Sequence, residues 1–471
     1  MRSTARWLSA TMLAACLTGF ATPASAQTAT LDLLQKLKEK GILSDEEYDA
    51  LAAREAAAPA AATATTVTTG TPASPQQAAA QALDDKRMVR MTESGIGFEM
   101  GGVQLKFSGS VNGFYVHDNG DSGGPGSTVV GGLATVGGNS SSIRNGLLPG
   151  FFKVDVTTNQ GGWDVGAHFG MYPGINSVTG VGGANSAGSP TALSTAGIDF
   201  RQTYLTFGKA RFGEIKIGRD IGLFASEAIL NDITLLASGT PAGNVAPSNT
   251  TLGRIGIGYI YTDFQPQITY TSPRFGGLQF SAGVFQPLTT IGETEYNDTP
   301  GFQGKVVYDY AGGGFGAHVW ASGLIQSHDG IAGSPSYTGR AFDVGAKLTA
   351  GSASLLGYYY MGTGVGTTGL FILSTDALGR KRDSNGFYVQ GTYGIGKLTL
   401  GASYGASYLD LADGEVNPTL LDNNSSWVGQ VRYGLTSWVT LLGEYTHTRA
   451  EAQNGNRATS DALALGAILF F

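Results

Sequence analysis

The chain is nearly free of cysteine. Its single one, Cys16, falls within the first 26 residues. That stretch has the marks of a secretory signal peptide (1–26): Arg2 and Arg6, an apolar run over 7–20, then Ala24-Ser25-Ala26 before Gln27. Cleavage there leaves no disulfide and no thiol chemistry, although an exported compartment permits bridges. Charge is scarce too, at 14% of residues. Without Arg2 and Arg6, 27 basic residues stand against 36 acidic ones, a formal −9, from the totals of 29 and 36. That balance opposes a nucleic-acid partner. After the signal, no run reaches the roughly 18 to 20 apolar residues of a membrane helix. The histidines, His117, His168, His318, His328 and His447, are scattered singly. No H-E-x-x-H or Cys/His spacing exists, so the sequence implies no metal and no cofactor.

What is abundant points to sheet. Glycine accounts for 72 of 471 residues, about twice the usual ~7%. There are 20 Tyr and 22 Phe. Disorder would not retain so many aromatics, and collagen would need a strict glycine period.

Residues 27–57 read as a helical oligomerisation segment. In LDLLQKLKEK, Leu31, Leu34 and Leu37 share a face, and Gly41 ends the helix. In GILSDEEYDALAAR, Ser44 is an N-cap, Glu47 completes a capping box, and Leu43 and Tyr48 form a hydrophobic staple. A unit this small has too little core to fold alone, which favours self-association; a solvated amphipathic helix is the plainer reading. Residues 58–94 are a linker, dominated up to residue 82 by Ala, Thr, Pro, Gln and Ser.

From 95 to 471 the texture is uniform. In KLTLGASYG, Leu398, Leu400, Ala402 and Tyr404 face one way while Lys397, Thr399, Gly401 and Ser403 face the other. In FGEIKIGR, Ile215 and Ile217 oppose Glu214 and Lys216. In GFFKVDVTT, Phe152, Val154 and Val156 oppose Lys153, Asp155 and Thr157. Such half-polar strands have a different medium on each face. Eight long polar gaps, near 118–149, 173–198, 220–252, 286–300, 325–339, 362–383, 408–424 and 449–457, alternate with short turns such as 159–162, 351–352 and 435–436. Short turns at one end and long loops at the other are the signature of an outer-membrane barrel. Eight long gaps, with both ends of the chain on the short-turn side, require sixteen strands. A seventeenth segment appears because 253–262 and 265–272 both look like strands. It reads as one long strand bulged near Pro266, since proline sits at edges and bulges; eighteen strands is the alternative count.

Two enzyme-like patterns fail their structural context. Gly401-Ala-Ser403-Tyr-Gly405 satisfies G-x-S-x-G, but Ser403 lies mid-strand rather than at a strand-to-helix elbow. Gly364-Val-Gly366-Thr-Thr-Gly369 satisfies G-x-G-x-x-G, but no helix follows it. A lipid hydrolase on the same barrel, with His168, His318 or His447 meeting a serine in space, stays as one alternative. A secreted, soluble β-rich binding module is the other.

Three stretches carry a resemblance. FRQTYLTFGKARFGEIKIGRD (200–220) resembles the R-x-x-Y-L…FG-x-x-x-x-GR signature of Gram-negative general diffusion porins. YTSPRFGGLQFSAGVF (270–285) resembles their Y-x-SP-x-FxG segment. Leu463, Leu465, Ala467, Leu469 and Phe471 resemble the terminal barrel-assembly signal. The helices at 30–57 are similar to the N-terminal extensions of some outer-membrane porins. The resemblance implies an all-β, sixteen-stranded antiparallel transmembrane β-barrel with a short α-helical periplasmic extension. It implies a homotrimer of water-filled pores that passes small hydrophilic solutes and ions, inserted in outer-membrane lipid by the barrel-assembly machinery.

The resemblance also implies a third outer loop folded into the bore. Gly218-Arg219 matches the GR before that loop. Asp220, Glu227 and Asp232 become acidic constriction residues, opposed by Arg201, Arg219 and Arg254, with Arg254 taken to begin the next strand. Lys153, Lys216 and Arg432 have polar-face parity and are expected to line the lumen. Arg201 shares the parity of Leu205 and Phe207, which conflicts with that role. The loop lacks the acidic-proline signature of many members. The basic residues are dispersed among acids along the sequence, so no phosphate-selective ladder is legible. Tyr204, Tyr259, Tyr270, Tyr310, Tyr358, Tyr404, Tyr433, Trp438 and Tyr445 are candidates for aromatic girdles.

Overall fold

The computed structural model describes residues 89–91, 95–175, 198–241 and 250–471. The expected signal peptide, the helical segment and the linker up to residue 88 lie outside the described residues. A short strand, β1 (Val89–Met91), precedes the barrel boundary placed at 95; it pairs with β2 (Ile96–Met100). β2 then turns back through Gly101-Gly102 onto β3 (Val103–Gly120), and β4 (Ser140–Arg144) flanks the far half of β3.

Fifteen further strands follow: β5 (Phe151–Gln160), β6 (Trp163–Pro173), β7 (Ile198–Lys209), β8 (Gly213–Ile221), β9 (Phe264–Thr271), β10 (Leu278–Phe285), β11 (Gly301–Gly312), β12 (Phe315–His328), β13 (Tyr337–Ala350), β14 (Ala353–Thr363), β15 (Asp383–Ile395), β16 (Leu398–Leu409), β17 (Leu421–Gly434), β18 (Val439–Ala452) and β19 (Arg457–Phe470). Each pairs antiparallel with the next, β5 pairs back to β3, and β19 returns to β3 from Ser460↔Gly120 to Phe470↔Ser110. β3 and β5 to β19 therefore close a ring of sixteen. Closure gives every strand two partners and leaves no edge inside the lipid, where an unpaired backbone group would cost several kcal/mol.

The terminal residue extends this closure by one step. Phe471 and Gly109 exchange both backbone hydrogen bonds, each 3.1 Å. The alternation along β19 sorts its side chains: Leu463 and Leu465 are exposed, while Ala462, Ala464 and Ile468 are buried within. Tyr270, Tyr310, Tyr433, Trp438 and Tyr445 are likewise exposed. Tyr204, Tyr259 and Tyr358 are corrected, since none belongs to an outer girdle. Tyr204 stacks on His168 inside the bore, and Tyr259 and Tyr358 are buried. Turn chemistry sets the short end. β5 and β6 are joined by Gly161 and Gly162 at φ 60 and 78, which is the positive-φ pair a two-residue hairpin turn requires.

The surplus seventeenth segment resolves differently from a bulged strand. β9 begins at Phe264, and 253–262 is irregular. Gly256 and Gly258 take φ 75 and 131 and interrupt the extended run. Its apolar residues are satisfied by packing instead: Ile257, Tyr259 and Ile260 are fully buried inside the barrel.

Candidate pore constriction

The described residues between Gly222 and Asp263 enter the bore. They carry a short helix, α1 (Ser226–Asn231), and a single 3-10 turn over Ile233–Leu236. Phe224, Ala228, Ile229, Ile255 and Ile260 pack on Trp320, Leu356, Tyr358 and Tyr388 of the inner wall. These wall strands, β12 to β15, lie across the ring from β5 to β8. An irregular loop cannot satisfy its own backbone, so wall side chains do it. The Gln303 amide oxygen accepts from Leu223 and Phe224 N–H, and Asp343 from Ala225 N–H at 2.9 Å. Gln390 accepts from Ile233 N–H, and Glu444 accepts from Ser238 and Gly239 N–H. Acceptors from β11, β13, β15 and β18 thus hold the loop to one wall along its length. They share inward parity, but nothing in their spacing shows which backbone they meet.

The acids expected in the constriction have different fates. Asp220 is buried; it pairs with Lys216 and accepts from the Gln202 amide at 2.7 Å. Glu227 on α1 takes Lys305 Nζ at 2.7 Å and His318 Nε2 at 3.2 Å. Burial works to raise its carboxyl, but the His318 hydrogen bond and the Lys305 charge outweigh burial and hold it at about 2. Asp232 is wholly buried. It accepts from Thr234 N–H at 2.9 Å and from the Tyr259 hydroxyl at 3.0 Å, and burial pushes its carboxyl upward despite the Arg254 charge.

The arginines separate as well. Arg201 does reach the bore, because β7 carries a bulge. Gly170 pairs with Gln202 but Tyr172 pairs with Asp199, so one extra residue is inserted. A bulge re-aims side chains against the simple alternation. Arg201 pairs with Asp199, and its guanidinium lies 5.3 Å from the Tyr172 ring centre. Arg219 is corrected: it has the parity of Ile217, both are exposed, and so it stands on the outer face of β8 rather than on the lumen wall. Arg254 is corrected too. It does not begin a strand; it lies in the inner loop, fully buried, donating to the Ser426 hydroxyl at 3.1 Å. Asp232 and Arg254 stabilise the loop's interior and do not face each other across open water.

Lys153, Lys216 and Arg432 all have inward parity. Lys153 lies over the Phe151 ring at 5.3 Å and Lys216 over Tyr204 at 5.0 Å. Two inward lysines that the sequence reading does not name meet the inner loop. Lys305 meets Glu227 and Ser226, and Lys347 donates to Asn231 at 3.3 Å. Parity alone could have placed both in the bore, but only the fold shows that α1 comes to them.

A closed antiparallel barrel with an apolar outer face, a polar bore and a loop folded into that bore defines an outer-membrane channel. A family model described as Gram-negative porin matches residues 56–453, and the chain belongs to that family. It is an outer-membrane porin for passive diffusion. Among solved structures, the outer membrane channel DcaP of Acinetobacter baumannii is 18% identical with a TM-score of 0.57; the match covers 81% of this chain and 99% of that one. The anion-selective porin from Comamonas acidovorans is 14% identical with a TM-score of 0.54, over 78% and 100% of the two chains. At these identities the likeness is one of fold. No curated protein matches the sequence.

Proposed function

We propose that the chain assembles as a homotrimer of separate non-enzymatic pores for small hydrophilic solutes and ions. In this reading the barrel-assembly machinery inserts it through the Phe471-terminated strand, and the helices at 27–57 sit in the periplasm beneath the trimer. Asp220, Glu227 and Arg201, with Lys153 and Lys216, line the constriction. The observation that carries the reading is the inner loop, which narrows the bore without closing a catalytic site. Ser403 donates to the Val389 carbonyl at 3.1 Å in the middle of β16. Among the described residues, Asp155–His168–Thr206 has the form of a catalytic relay, with His168 Nε2 3.2 Å from the threonine hydroxyl. The backbone around Thr206 is paired in the ladders of β7 with β6 and β8, so it offers no free N–H pair for an oxyanion. Planar-bilayer conductance tests the proposal. Openings in multiples of three equal steps are expected; a folded, detergent-extracted sample that conducts no ions would refute it.

A further inference from the structure

We propose that the pore is anion-selective, with a ring of Lys153, Lys216, Lys305, Lys347 and Arg432 around the inner loop as its filter. This rests on the porin reading and adds the sign of the solute.

The five cations come from β5, β8, β11, β13 and β17, spread around the ring of strands. Four of them are tied to the segment Asp220–Ile233, and the fifth stands beside it. Lys216 pairs with Asp220, and Lys153 feels the charge of the same carboxylate. Lys305 holds Glu227, and Lys347 holds Asn231. Arg432 stands one inward position beyond Gln430, whose amide donates to the Ile233 carbonyl at 3.0 Å. The ring therefore lies at the level where the loop occupies the bore.

Most carboxylates at that level are already engaged. Asp220 and Glu227 each neutralise a lysine of the ring. Asp232, Asp343 and Glu444 are buried, bound to Thr234 and Tyr259 or to loop backbone N–H groups. Asp199 is taken by Arg201. Asp155 is engaged by His168, and Asp309 by His318 and Arg274. With those set aside, the five cations of the ring face Asp220 and Glu227, with Glu444 near Arg432. Farther toward the short turns the sign reverses: Glu99, Asp164 and Glu214 line a cleft of about 370 Å³. That cleft begins at the rung of Thr206 and Lys216 and runs on toward the short turns, and fixed charge acts most strongly where the channel is narrow. Lysine and arginine rings are the usual device of anion pores.

The test is the reversal potential of the full-length protein in a potassium chloride gradient at neutral pH, with K347Q/R432Q beside the wild type. Chloride should permeate several-fold more readily than potassium, and the double variant should lower that ratio by roughly two- to fivefold. K153Q gives an independent reading from the opposite wall if the double variant fails to fold, and should lower the ratio as well. An unselective or potassium-selective wild type overturns the inference while leaving the porin reading intact. So does a ratio unchanged in both variants. A folded protein without conductance removes the porin reading itself, and the inference with it.

Discussion

At the residue scale, a close fit sits at the seam. A Cβ on Gly109 would lie 2.4 Å from the Phe471 ring and 3.0 Å from the Phe151 carbonyl oxygen. Phe471 in turn packs with Trp438, ring centres 6.1 Å apart. The last aromatic therefore fills a notch that only glycine leaves open. Gly109→Val should displace the ring and cost about 1–3 kcal/mol, seen as a smaller fraction of heat-modifiable barrel on unheated gels. Gly357→Ala, where nothing lies within 4 Å, should behave as wild type. Deleting Phe471 should lower membrane insertion more than it alters the conductance of pores that do form. Equal losses for Gly109→Val and Gly357→Ala would contradict the notch.

The inner loop is the element that decides the bore, and α1 is fastened by Glu227. The ion pair with Lys305 leaves the two side chains 14% and 16% exposed, so solvent screens it little. The Glu227 carboxyl falls from an ordinary 4.5 to about 2 in the fold. A depressed carboxylate stabilises the folded state above its unfolded pKa and loses that contribution as pH falls through the folded value. Its share is on the order of 2–3 kcal/mol, present above about pH 4.5 and lost toward pH 2. Melting in detergent from pH 6 to 2.5 should therefore fall more steeply for wild type than for Glu227→Gln. Parallel melting curves would show that the pair does not hold the loop. This element was the least legible in the sequence. The alternation of GRIGIGYIYT is the pattern of a strand, and it serves a loop instead because the inner wall supplies apolar partners and polar acceptors together. Arg254 was misplaced for the same reason, and Arg201 was ambiguous because a bulge leaves no mark on periodicity.

For the whole molecule, closure runs from β3 to β19 and needs no residue before 89. Removing residues 27–80 should leave the conductance of each open unit within about 20% of wild type, since the bore and its charges are intact. The same truncation should reduce the share of threefold openings if the helical segment supports the trimer. A large change in unit conductance would place part of that segment in the permeation path.

The sequence by itself determined the barrel. Two-residue alternation, eight long gaps and seven short turns leave a chain with one apolar and one polar face per strand, and in lipid such strands can only close on each other. It also determined the closing strand, because DALALGAILFF alternates through to its last residue. The tertiary structure decided the lining. Register and one bulge turned Arg201 inward and left Arg219 outside, and loop packing buried Asp232 and Arg254. A net acidic chain with dispersed lysines brings four of them and Arg432 into the bore around the inner loop. Periodicity fixes which face a residue occupies, but not which distant segment is folded against that face. Charge in a pore is a property of that second relation.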